Sequence, residues 1–288
     1  MIRKLGLVFT LCLVVCYGSC VSVRSKPKRE SHAKKQALYE GKTYSQWLMV
    51  FKSNSPYAFK KGVTVFYRIG TPAVPTLISA LKHQNWKLRR GAAEALGRLG
   101  SDAYKAIPAL IRVLGDKHDD VRRHARPALH SIGSKSIPHV IKALSSKNRY
   151  RCRYAIYTLG SFGVEASKAI PTLLKALRAP HPKIRRAAQY ALGEMRHEAL
   201  PSVLALLQNK RSSLRIAALV ILSHMVHNTK ISLRTIKEHK VISALLKALK
   251  DPHPNARSSA VYTLQKIDEL DNTYRPNDPL TLAVAKRL

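Results

Sequence analysis

A proline recurs through this chain at near-regular intervals: Pro75, Pro108, Pro138, Pro171 and Pro201 stand 33, 30, 33 and 30 residues apart. Twenty-one residues after each comes a leucine, at Leu96, Leu129, Leu159, Leu192 and Leu222. Ser243 and Leu264 keep that offset once more after a longer interval of 42. One position is alanine in all six units: Ala92, Ala125, Ala155, Ala188, Ala218 and Ala260. Length therefore varies between units while the interior of each is fixed. Such self-similarity marks an array whose units bury their apolar faces against their neighbours. A degenerate earlier copy begins near Ser45, with Trp47 and Phe51 in the apolar slots, which makes seven units.

Each unit reads as two helices. The first starts at the proline, whose missing N–H has no partner in a first helical turn anyway. Apolar residues follow at offsets two, three and six, as in Leu110, Ile111 and Leu114. After a short loop the second helix places Val121, Ala125, Leu129 and Ile132 on one face. Gly100, Gly133 and Gly163 end it in three units, as a left-handed cap requires. The recurrent alanine marks a close crossing of helices. Twelve extra residues at 229–240, "TKISLRTIKEHK", are either an added helix or a lengthened first helix.

Paired helices of about thirty residues, as in "AIPALIRVLGDKHDDVRRHARPALHSIG", resemble HEAT repeats of the short variety named after phycobilin lyases. The resemblance covers roughly residues 43–268, and "YEGKTYSQWL" looks like the leading segment of secreted bacterial HEAT proteins. It implies an all-α, right-handed α-solenoid of about seven two-helix repeats, with the second helices on the concave face. The repeats occupy 42–270. A C-terminal capping helix is expected over 271–288, where Asn277, Asp278 and Pro279 precede "LTLAVAKRL".

The first twenty residues stand outside this pattern. Arg3 and Lys4 precede an apolar run over 5–18 and then Gly18, Ser19 and Cys20, which reads as a secretory signal. "YGSC" resembles a bacterial lipobox, making Cys20 a candidate lipidation site and membrane anchor; an ordinary cut after Gly18 or Cys20 is the alternative. The expected location is the cell envelope or the exterior. Residues 21–41 form a basic tether. Cys152 is the one cysteine left in the repeats, so the repeats form no internal disulfide.

Charge sets this chain apart: 51 Lys and Arg face 16 Asp and Glu, a formal net charge of +35. Such an excess bears on partners rather than on fold. Two rows of arginine open the second helices. Arg89, Arg122, Arg185, Arg215 and Arg257 stand at offset fourteen, with Cys152 in the same slot. HEAT repeats characteristically bond an arginine there to an aspartate of an adjacent loop. Several of these loops lack a carboxylate, so the row bonds carbonyls or awaits an external anion. Arg90, Arg123, Arg153 and Arg186 form the second row, and Tyr157 and Tyr190 follow one turn later. Neighbours on a helix lie three or four apart, which predicts Arg153 beside Tyr157 and Arg186 beside Tyr190. In "RYRCRY", Arg151 falls on an apolar slot; either Tyr150 fills that slot or the core gives way there.

No catalytic constellation accompanies these rows. His118, His181 and His253 share a loop offset, and a solenoid step separates successive loops, which argues against a metal site. The single His197–Glu198 pair is too few for the iron-binding HEAT hydroxylases. Neither a cofactor nor a catalytic residue is expected. The expectation is a non-enzymatic binding protein, with Arg90, Arg123, Arg151, Arg153 and Arg186 holding an anion and Tyr157 and Tyr190 stacking on it. The partner is an anionic polymer (acidic polysaccharide or lipid headgroup first, nucleic acid second) or an acidic protein bound by a scaffold. A HEAT-like enzyme acting on nucleic acid is the remaining alternative.

Overall fold

The computed structural model describes residues 38–227 and 231–271. The signal expected over 1–20 with Cys20, most of the tether, and all but Asp271 of the capping helix expected over 271–288 lie outside them. The described residues begin at Leu38, four residues inside the stretch expected as tether. There β1 (Leu38–Tyr39) pairs antiparallel with β2 (Lys42–Thr43). Thr43 and Gln46 then form a reciprocal capping box on α1 (Tyr44–Met49). Trp47, nearly fully buried, donates its indole N–H to the Tyr39 carbonyl at 2.8 Å, which fastens the hairpin to the first unit.

Six further units follow α1 and α2 (Pro56–Ile69). Their first helices are α3 (Val74–Ala80), α5 (Ile107–Val113), α7 (Ile137–Ala143), α9 (Ile170–Ala176), α11 (Leu200–Leu206) and α14 (Val241–Ala248). Their second helices are α4 (Trp86–Leu99), α6 (Asp119–Ile132), α8 (Arg149–Phe162), α10 (Pro182–Glu194), α12 (Ser212–His227) and α15 (Pro254–Asp271). The extra residues hold an added helix, α13 (Leu233–Glu238), rather than a longer first helix. Each proline lies in the first turn of its helix as expected. Gly100, Gly133 and Gly163 end their helices at φ of 57°, 95° and 55°.

The second helices form a continuous row, each packed on the next, whereas each first helix packs chiefly on its own partner. The fold is an all-α solenoid. All six alanines of the recurrent column are fully buried. Close backbone approaches lie three and five residues beyond them. A Cβ on Gly97 would stand 3.1 Å from the Ala128 Cα, and one on Gly160 would stand 3.1 Å from the Ala191 Cα. Phe51, wholly buried, fills the start of the array and lies directly against Gly62 and Gly91.

Candidate anion-binding site

The first arginine row serves the fold. In each of five units the guanidinium Nη1 donates to two consecutive carbonyls of the loop between the unit's helices. These are His83 and Gln84 for Arg89, Asp116 and Lys117 for Arg122, and Ala179 and Pro180 for Arg185. Arg215 takes Asn209 and Lys210, and Arg257 takes Asp251 and Pro252. Two of the five also reach a carboxylate in the next unit. Arg89 grips Asp116 through Nε and Nη2 at 2.6 and 2.8 Å, and Arg215 grips Asp251 at the same two distances. Burial pushes the Asp116 carboxyl up, yet its bonds to Arg89 and to the His118 N–H outweigh this and hold it below the ordinary carboxylate range. The Arg215 hydrogen bonds bring Asp251 down to about 2.

The fourth unit departs from this scheme. Cys152 occupies the arginine slot and is buried, which pushes its thiol up and away from nucleophilic use. Arg151 stands half-buried on the apolar slot, its Nη1 3.5 Å from the Ser146 Oγ and its Nη2 3.4 Å from the Arg112 carbonyl. Its side chain thus leans on its own loop and on the preceding unit. Tyr150 is half-buried too and carries the Arg122 guanidinium 4.4 Å from its ring centre. Tyr154 is buried, and its hydroxyl donates to Asp119. That bond, with those of Arg122 and Arg123, holds the Asp119 carboxyl low.

The second row divides. Arg90 lies 4.1 Å from the Phe59 ring centre and 5.7 Å from that of Trp86. Arg123 is exposed but pairs with Asp119, Nε to Oδ2 at 2.6 Å. Arg186 is exposed. Arg153 is half-buried over Tyr150 and Tyr154, at 5.6 and 5.2 Å, rather than beside Tyr157. Tyr157 meets Tyr190 edge to face at 5.8 Å, and Tyr190 meets His224 in the same way at 5.5 Å. These rings form a packed ladder across three second helices, not a row of open stacking faces. Arg149, Lys183 and His181, which stand in neither arginine row, line one cleft with Arg153 and Tyr150. Comparing offset eleven, where Trp86, Asp119, Arg149 and Pro182 stand, exposes the change of charge there.

The HEAT-repeat family model matches residues 50–130, 74–160 and 137–223, which together span more than half of the chain. The chain belongs to the HEAT-repeat family. No curated protein matches it in sequence. Among solved structures it is similar to an archaeal HEAT-like repeats protein from Thermococcus onnurineus NA1, 18% identical over 80% of this chain and 98% of that one, with a TM-score of 0.42. It is also similar to Kap95p in a structure with RanGDP, 11% identical with a TM-score of 0.52, and to Kap121p, 14% identical with a TM-score of 0.52. This chain spans 37% and 30% of those two. At such identities the likeness is one of fold alone.

Within the HEAT array the loop histidines act locally. His83 and His181 accept N–H groups at the start of the following helix, and His118 stacks on Trp86 with ring centres 5.4 Å apart. Among the described residues no three His, Cys, Asp or Glu side chains gather closely enough to hold a metal ion.

Proposed function

We propose that this HEAT array is a non-catalytic binding protein that holds an acidic polysaccharide on the outward cations of its fourth and fifth repeats. The observation that carries this reading is an imbalance that the fold does not use up. Between Asp120 and Glu194 the only carboxylate is Glu165. Hydrogen bonding inside the fold consumes the first arginine row. Arg149, Arg153, Lys183 and Arg186 remain at the starts of α8 and α10, where the helix dipoles add to the positive potential. An anionic ligand relieves that repulsion. Sugars rank ahead of nucleic acid because bases need open aromatic faces, and Tyr157 and Tyr190 are engaged with each other. In this reading the signal over 1–20, and Cys20 if lipidated, direct the array to the cell envelope.

A second reading, a scaffold for an acidic protein, draws on a different feature. The added α13 opens a trough of about 620 Å³ against α14, floored by Ile242 and Leu246 and rimmed by Lys237, Lys240, Lys247 and Lys250. An acidic amphipathic segment suits such a surface.

Binding of the full chain to heparin, a single-stranded oligonucleotide and anionic vesicles across a salt series tests the proposal. The expected result is saturable heparin binding at physiological salt, with affinity falling log-linearly as salt rises. Oligonucleotide affinity above that for heparin moves the ligand to nucleic acid, and binding of none of the three refutes the reading.

A further inference from the structure

The cleft lined by Arg149, Tyr150, Arg153, His181 and Lys183 has a volume of about 150 Å³. Its charge arises from a reversal at one repeat position. At offset eleven the third repeat has Asp119, and that carboxylate neutralises Arg123 four residues on. At the same offset the fourth repeat has Arg149, with Arg153 in the place of Arg123. A carboxylate–arginine pair has become an arginine–arginine pair one turn apart, where like charges repel. The guanidinium carbons of Arg149 and Arg153 stand 5.3 and 5.6 Å from the Tyr150 ring centre. The third cation on that ring, Arg122, donates to Asp119. Arg153 Nε is buried without a hydrogen-bond partner in the protein, as are the Nε atoms of Arg90, Arg122 and Arg151, so the distinguishing feature of the cleft is its clustered charge rather than this atom. In the second repeat the corresponding place is taken by the Trp86 ring, stacked on His118.

Building on the anionic-ligand reading, we infer that this cleft is a site for one tetrahedral oxyanion, a sulfate or phosphate monoester group, which does for Arg153 what Asp119 does for Arg123. The planar guanidinium forks suit two oxygens of such a group, and Lys183 adds a point charge. His181 accepts the Lys183 N–H on Nδ1 at 3.2 Å, so a ring proton sits on Nε2 as a donor. A volume of a few waters, at roughly 30 Å³ each, admits the oxyanion and leaves its parent sugar or lipid outside. The saccharide sulfate favoured above and a lipid phosphate share this chemistry.

The test titrates the full chain with sodium sulfate and with inorganic phosphate, against sodium chloride at matched ionic strength, by calorimetry. One saturable sulfate site is expected, with phosphate competing for it and chloride not. Arg153→Gln weakens it about tenfold or more. Arg149→Asp, which restores the third repeat's carboxylate, abolishes sulfate binding without lowering the Tm. Lys142→Gln, exposed on the first-helix side, leaves sulfate affinity unchanged. Sulfate binding by Arg149→Asp at wild-type affinity, or no saturation beyond chloride, overturns the site; if Arg149→Asp does not fold, Arg153→Gln decides. Heparin binding that persists without a sulfate site leaves the broader reading standing, and loss of both refutes both. Phosphatidic acid vesicles that displace sulfate where heparin does not keep the oxyanion site and assign its source to lipid.

Discussion

Arg215 and Asp251 face each other across the boundary of the sixth and seventh repeats, joined by two parallel hydrogen bonds of 2.6 and 2.8 Å. Because the Arg215 bonds lower the Asp251 carboxyl to about 2 from an ordinary value of 3.8, the ionised form is favoured in the folded chain. Its contribution is fully present above the unfolded value and is lost as pH falls through about 2. Denaturation followed from pH 6 to pH 2 should show stability declining below about pH 4 through this pair, by roughly 1–2 kcal/mol. In Asp251→Asn that portion of the acid limb is absent, and the variant starts less stable at neutral pH.

The two arginine rows should respond oppositely to truncation. Arg89→Ala leaves the Asp116 carboxylate buried without its cation. The expected cost is about 3 kcal/mol, as for other broken buried pairs. Arg186→Ala removes an exposed side chain and should change stability by less than about 0.5 kcal/mol. Chemical denaturation of both variants checks the difference.

Gly160 marks a contact between backbones. A Cβ there would lie 3.1 Å from the Ala191 Cα, and main chain cannot yield as a side-chain tip can. Gly160→Val should cost about 1–3 kcal/mol, measured by the denaturation midpoint.

The tyrosine ladder should matter for stability and little for the ligand. Tyr157→Ala with Tyr190→Ala loses their edge-to-face contact and the apolar area beneath it, lowering the Tm. Affinity for heparin should stay within about twofold of wild type, by the same titration. A severalfold loss in a folded variant would return these rings to the binding surface.

The repeat register was legible because burial fixes the leucine and alanine columns, while the exposed prolines recur in a first helical turn, where a missing N–H costs nothing. The first arginine row was legible as a choice between structure and ligand, and the loop carbonyls decide it. The Arg153–Tyr157 pairing was misjudged because spacing ignores direction. A long side chain on a helix leans toward the N-terminus, which carries Arg153 back over Tyr150. The partnership of Asp119 with Arg122, Arg123 and Tyr154 spans two repeats, and reading one offset at a time does not reveal it.

The central claim is that the first arginine row holds the fold, whereas Arg153 and Arg186 of the second hold an anion. Two variants of equal charge separate them: Arg153→Gln/Arg186→Gln and Arg185→Gln/Arg257→Gln, titrated with heparin in a salt series with Tm recorded alongside. The account predicts that the first pair loses affinity and about two units of salt slope at an unchanged Tm. It predicts that the second pair keeps its affinity and loses Tm. Equal losses of affinity from both pairs would contradict it, because removing two charges anywhere would then have the same effect.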